Sequence, residues 1–220
     1  MLTLYSYWRS TAAWRVRLVL NLKQLAYQQE AVHLLQDGGE QRHAAYRALN
    51  PQGLVPLLVD GEQRIAQSLA IIEYLEETHP EPALLPRDAG ARARIRSWSQ
   101  FIVSEIHPLN NLRVLQYLEG ELGLDENSRN SWYHHWIKEG LAALEKQVQQ
   151  HLPIRQGGFS LGNRPGYFEA CLVPQLYNAR RFNCPLESYP TLVALDKRCQ
   201  SLAAFSKAVP EMQPDAVLDT

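Results

Sequence analysis

The spacing of apolar residues changes near residue 80, and that change limits the fold more tightly than any single motif. Before it, strand and helix signals alternate. Residues 2–7 read as a short strand, and residues 12–25 as a helix with Val16, Val19 and Leu20 on one broad face. Residues 28–33 supply a second strand, and the order strand, helix, strand favours a parallel pair. Residues 36–49 are polar and read as loop or irregular helix. Residues 54–59 form a clear strand, the pair Asp60-Gly61 marks a tight turn, and residues 64–66 can return antiparallel. Ser68 stands where it can cap a helix over 69–77.

Residues 79–90 carry His79-Pro80, Pro82, Pro86 and Gly90 and read as a connection. Beyond them strand signals largely vanish. Residues 91–118 read as a long helix bent near Pro108, and residues 130–151 as another, with Trp132, Trp136, Leu141, Leu144 and Val148 at helical spacings. Residues 167–182 hold a third helix disturbed at Pro174, and residues 191–208 a fourth. The last ten residues carry few anchors and are expected to run along the surface. The expected fold is an α/β thioredoxin-like N-terminal domain over 1–80, a linker over 81–90 and an all-α domain over 91–220.

Composition removes several classes of function. A net charge of −1 gives no basic surface for nucleic acid. No apolar run reaches membrane-spanning length. Cys171, Cys184 and Cys199 have neither metal-site spacing nor the density of a secreted scaffold, so an intracellular protein with reduced thiols is expected. His134 and His135 are adjacent and do not share a helix face, and no metal site is expected. The Trp132/Trp136 spacing reads as packing.

Three features carry chemistry. At the first, the opening strand runs into Arg9, Ser10 and Thr11, where a helix begins. Helix N–H groups and hydroxyls suit an anion, including a thiolate; an ordinary cap needs no ligand. Lowering a thiol from about 8.5 to about 6.5 takes roughly 2.7 kcal/mol of differential stabilisation. Ala12 and Ala13 stand where a redox enzyme of this fold needs a nucleophilic cysteine, so any reactive sulfur must arrive on a ligand. The second feature is Val55-Pro56, where proline interrupts a ladder; a cis bond would turn the Val55 backbone toward an extended peptide, and a trans proline at a strand edge is the alternative. The third is Gln67-Ser68, an amide, a hydroxyl and N–H groups at a helix start, able to hold a carboxylate or simply to cap.

The segment Trp8-Arg9-Ser10-Thr11-Ala12-Ala13-Trp14-Arg15-Val16-Arg17 resembles the opening motif of zeta-class glutathione transferases. So do Asn50-Pro51-Gln52-Gly53-Leu54-Val55-Pro56, Gln67-Ser68-Leu69-Ala70-Ile71-Ile72-Glu73-Tyr74-Leu75 and Glu105-Ile106-His107-Pro108-Leu109-Asn110-Asn111-Leu112-Arg113. With Pro174-Gln175 and residues 178–182, the resemblance spans nearly the whole chain. Within the family it is similar to the isomerases of aromatic catabolism that act on maleylacetoacetate or maleylpyruvate. The resemblance implies glutathione as cofactor, a small dicarboxylate substrate, a cis Pro56 and a cytoplasmic homodimer. It maps the thiol contact onto Ser10 with Thr11 beside it, backbone pairing onto Val55, the γ-glutamyl carboxylate onto Gln67 and Ser68, and further contacts onto Gln52, His107 and Asn111. His107 stays open between orienting substrate, helping proton transfer and a structural role near Pro108.

The reaction implied is conversion of maleylacetoacetate to fumarylacetoacetate by thiolate addition, bond rotation and elimination. Arginines suit such a substrate, because guanidinium binds carboxylates in bidentate fashion. Arg9, Arg113 and Arg180 are the candidates, Arg180 preferred over Arg181, while Arg15 and Arg17 read as helix surface or interdomain partners. Maleylpyruvate isomerisation, general conjugation and non-enzymatic glutathione binding are the alternatives. Two departures stand out: Ala12 replaces the cysteine common in the family, and Gly166 and Glu169 replace a Ser/Thr and Asp capping pair, which reads as a matter of stability.

Overall fold

The computed structural model describes residues 1–217, the side chain of Leu152 excepted. The chain packs as two compact units. Unit 1 is Met1–Leu84 together with residues 200–217, and unit 2 is Leu85–Cys199. This division departs from the expected one at its end: residues 200–217 group with the first unit, where Asp215 meets Trp8 and Gln29.

Unit 1 is built on β1 (Leu2–Ser6), α1 (Thr11–Leu22), β2 (Tyr27–Ala31), α2 (Ala44–Leu49), β3 (Leu57–Asp60), β4 (Gln63–Ala66) and α3 (Ser68–Thr78). The sheet order is β2-β1-β3-β4, with β1 parallel to β2 and antiparallel to β3, and β3 antiparallel to β4. Register places Tyr5, Leu57 and Ala66 in one row across three strands. The strand expected from residue 54 therefore begins only at Leu57. Pro56 has no N–H to give a ladder, and the Val55–Pro56 peptide is cis, as is Glu81–Pro82.

Leu4, Val16, Val19, Leu20, Leu58, Ile71, Ile72 and Leu75 are fully buried in this unit, each worth roughly 1.5–3 kcal/mol of burial. The same packing encloses α1 on nearly every side. Arg15 and Arg17, expected at a surface or between domains, are 1% and 0% exposed. The connection over 79–84 is tied down as well. Lys23 pairs with Glu76 at 2.7 Å and donates to the His79 and Pro82 carbonyls, while Glu76 accepts from the Leu84 N–H.

Unit 2 contains α4 (Ala89–Gln100), α5 (Leu112–Gly120), α6 (Glu126–Val148), α7 (Leu152–Arg155), α8 (Tyr167–Arg181) and α9 (Pro190–Gln200). The single long helix expected over 91–118 is broken. A wide π-type turn occupies Phe101–Ile106 and a 3₁₀ turn Pro108–Asn110, because Pro108 cannot continue the amide ladder. The side chain of Ile106 fills the space beside Gly140, where a Cβ would lie 2.5 Å from Cγ1. Carboxylates finish the helix starts. Asp88 accepts from Ala91 N–H, Asp125 from Ser128 N–H, and Glu145 of α6 from the Thr191 and Leu192 N–H groups of α9.

At α8 the glycine cap is completed by Glu169. Its buried carboxylate accepts from Gly166 N–H at 2.9 Å and from the Ser160 N–H and hydroxyl at 2.6 and 2.7 Å. Trp132 and Trp136 pack edge to face, their centroids 5.7 Å apart. The helix expected over 191–208 is interrupted by an extended Leu202, after which α10 (Ala203–Ser206) belongs to unit 1.

Candidate active site

The row Tyr5–Leu57–Ala66 brings three chain segments to one end of the sheet: the turn after β1, the segment before β3 and the turn after β4. These carry Ser10, Val55-Pro56 and Gln67-Ser68. Adjacent strands lie about 4.8 Å apart, so β1 to β4 spans about 10 Å, the length of an extended tripeptide at roughly 3.3 Å per residue.

Ser10 is the N-cap of α1, and its Oγ accepts from the Ala13 N–H at 3.2 Å. That bond uses an acceptor of the hydroxyl and leaves its proton to donate elsewhere. Thr11 is the first residue of α1 and is buried. The Arg9 guanidinium stacks on the Trp8 ring, 4.7 Å from the centroid. At Val55, neither the backbone N–H nor the C=O is engaged among the described residues, while its side chain is buried in a cluster with Tyr7, Trp8, Val32 and Tyr46. The preceding Leu54 carbonyl accepts from both Tyr46 Oη (2.7 Å) and Asn50 Nδ2 (2.8 Å), which fixes the approach to Pro56. Burial pushes the Tyr46 phenol up to about 12, so it donates at neutral pH.

Ser68 does not cap α3, contrary to expectation. Gln67 is the cap residue, at φ 72°, and makes no side-chain cap bond. Its amide donates instead to Gln52 Oε1 at 2.7 Å, so the structure joins two predicted site residues. Ser68 is the first helical residue, 4% exposed, and its Oγ accepts from Arg15 Nη1 at 3.3 Å. A hydroxyl that accepts from a guanidinium is left to donate with its own proton.

In unit 2, Asn111 caps α5 by accepting from the Arg113 N–H at 3.1 Å, which turns its Nδ2 toward His107 Nε2 at 3.2 Å. Nε2 then accepts from the Asn111 amide. Arg113 is exposed. Arg180 forms an ion pair with the buried carboxylate of Asp196 at 2.6 Å, and Arg181 stacks on Phe182. The guanidinium preferred for substrate thus has a carboxylate already. His134 Nε2 lies 2.7 Å from the Phe182 carbonyl. Among the described residues no group of three or more His, Cys, Asp or Glu is placed to hold a metal ion. Cys171, Cys184 and Cys199 are buried thiols, and burial pushes Cys184 up to about 12.

Arg15, Arg17 and Asp215 were not expected to bear on this site. Arg17 donates to Ser6 Oγ (3.0 Å) and to the carbonyls of Tyr7 (3.3 Å), Trp8 (2.8 Å) and Ala208 (3.3 Å). Burial lowers it to about 10, a value at which it stays cationic at neutral pH. A signal was present: both arginines lie in the apolar run Trp14-Arg15-Val16-Arg17-Leu18-Val19-Leu20, and residues two apart do not share a helix face. An apolar helix on all sides is a buried one.

The family described as glutathione S-transferase, N-terminal domain, matches residues 4–83. A probable maleylacetoacetate isomerase of Vibrio cholerae is 49% identical over 215 residues, covering 98% of each chain. Among solved structures, a holo maleylpyruvate isomerase described as a bacterial zeta-class glutathione S-transferase superposes with a TM-score of 0.92 at 45% identity, covering 98% of this chain and 100% of that one. A maleylacetoacetate isomerase from Anaeromyxobacter dehalogenans, with glutathione bound in its active site, gives a TM-score of 0.86 at 47% identity, covering 99% and 98%.

Proposed function

The chain belongs to the zeta-class glutathione transferases, and on that premise we propose that it is a glutathione-dependent cis–trans isomerase of maleylacetoacetate. The observation that carries the site assignment is the Tyr5–Leu57–Ala66 row, which sets three groups of unspent donors across a tripeptide's length. Glutathione, when bound, supplies a thiolate that adds to and leaves from the activated double bond, so that the bond can rotate between the two events. The remaining chemistry is done by the residues of the chain.

The Ser10 hydroxyl donates toward the sulfur position, and the first N–H groups of α1 favour negative charge there. The Val55 N–H and C=O pair with the cysteinyl backbone. Gln67, Ser68 and the helix start behind them receive the γ-glutamyl carboxylate, with Gln52 holding the Gln67 amide in place. Thr11, beside Ser10, offers less because it is buried. Arg9 and Arg113 are assigned to the substrate carboxylates and to charge that develops on the conjugated oxygen. Arg180 takes that role only by leaving Asp196. His107 and Asn111 act as a pair, Asn111 fixing the imidazole. Ala12 in place of cysteine leaves this chemistry intact, because no step uses a protein thiol.

Incubation with maleylacetoacetate and catalytic glutathione tests the reading. The substrate absorbance collapses without net loss of thiol. Stoichiometric thiol loss identifies a conjugating transferase instead, and failure on both maleylacetoacetate and maleylpyruvate sinks the proposal. Maleylpyruvate is the second substrate to try, because the fold superposes closely on an isomerase of that compound. We place the protein in the cytoplasm as a homodimer; no described helix is long and apolar enough to cross a membrane. Sedimentation at micromolar concentration tests the dimer.

A further inference from the structure

The turn that carries Arg9 and Ser10 is held from two sides, by Arg17 and by Asp215, the latter outside the segment matched as a glutathione transferase N-terminal domain. The Trp8 N–H donates to Asp215 Oδ2 at 2.8 Å, and the Trp8 C=O accepts from Arg17 Nη2 at 2.8 Å. The Tyr7 C=O accepts from both Arg17 and the Ser10 N–H. The Tyr7 C=O and both the N–H and the C=O of Trp8 are therefore engaged.

Asp215 is itself anchored. Gln213 is buried and donates to the Lys207 and Val209 carbonyls, and the Ala216 N–H closes a turn onto the Gln213 C=O. The other carboxylate oxygen of Asp215 accepts from Gln29 Nε2 at 3.3 Å. Ala216 packs on the same Tyr7, Trp8 and Val55 cluster that supports the peptide-pairing segment. Arg17 also donates to the Ala208 carbonyl, so one cation binds both the turn and the returning chain.

We propose that Asp215 is a positioning residue for the sulfur site: with Arg17 it clamps the Trp8 peptide, and so sets where the Ser10 hydroxyl points. This rests on the glutathione reading above. Ser10 follows Trp8 by two residues and starts α1, so a turn free to rotate at Trp8 moves the hydroxyl relative to the helix N–H groups. Catalytic geometry of this kind fails with displacements of about 1 Å.

The test is Asp215→Ala, with Asp215→Asn and Gln29→Ala beside it. In the ligand-free protein, Asp215→Ala raises amide exchange at Trp8 by about tenfold, the loss of one charge-assisted hydrogen bond, while β1 and the middle of α1 keep their protection. In the same variant the thiolate absorbance of bound glutathione titrates at higher pH, and kcat falls about tenfold with a smaller change in KM. Asp215→Asn keeps an oxygen for the Trp8 N–H and lies between. Gln29→Ala removes only the outer contact and leaves all three readouts at the wild-type value.

Unchanged Trp8 exchange in Asp215→Ala overturns the clamp. A lost clamp with an unchanged thiol titration overturns its role at the sulfur site. If Asp215→Ala does not fold, Asp215→Asn decides both points. A wild-type protein that neither binds glutathione nor isomerises defeats the functional reading and the sulfur-site role together, whereas Trp8 exchange still judges the clamp by itself.

Discussion

The starts of α1 and α3 lie at the same end of one sheet, yet they are built in opposite ways. At α1 the side chain of Ser10 caps the helix and the backbone around it is fixed by Arg17 and Asp215. At α3 the cap residue Gln67 sits at positive φ, its side chain turned aside to Gln52, and Ser68 is held from beneath by Arg15. One start is stabilised by the group proposed to act there. The other keeps its amide out of the helix and fixes it sideways. The difference teaches that a capping residue need not be idle, since a hydroxyl can accept from the helix and donate to a ligand with the same atom.

If that contrast is right, perturbations at the two starts separate. The largest effect comes from Arg17→Met, which strands buried carbonyls and the Asp215 charge: denaturant unfolding shows a loss of roughly 3 kcal/mol. Ser10→Ala is next. Turnover falls at least about tenfold, and stability falls by about 1 kcal/mol for the lost cap. An unchanged rate moves thiol activation to Thr11 or to backbone donors. Gln67→Ala should be milder and of the other kind. Stability stays within about 0.5 kcal/mol, because no cap is lost, while KM for glutathione rises several-fold. Equal losses of stability at Ser10 and Gln67 would erase the contrast.

The smallest effect concerns α8, where a glycine cap relies on Glu169. Burial raises this carboxyl above its usual value of 4.5, against the pull of the Ser160 and Gly166 donors. The folded state therefore binds the proton more tightly than the unfolded chain does. The associated stability is present below about 4.5 and is lost as pH rises through the higher folded value. Melting curves across that window show a decline in the wild type that is shallower in Glu169→Gln.

Much of this was legible in the sequence. The strand–helix order, the tight turn at Asp60-Gly61 and the parallel first pair follow from periodicity and turn chemistry, and the structure has them. What local pattern could not reveal came from distant partners. Ser68 looks like a cap, but a neighbouring positive φ moved that office to Gln67. Arg15 and Arg17 look like solvent-facing charges until the apolar residues on both sides of each are counted. Arg180 and Arg181 are adjacent in sequence, and only the fold shows that Asp196 has taken the first. Residues 201–208 read as the continuation of a helix, and the place of the segment after Gln200 beside the first strands depends on single contacts such as Asp215 to Trp8.

That return of the chain also orders events in time. Synthesis delivers β1 and α1 first, but the Trp8 amide and the buried Arg17 await partners that emerge only after the whole of unit 2 has been made. A nascent chain can lay down the sheet early, as leading segments commonly do. It cannot lock the turn at Ser10 until translation has passed Asp215. The proposed sulfur site is thus among the last parts of the molecule to mature, although it lies among the first residues made.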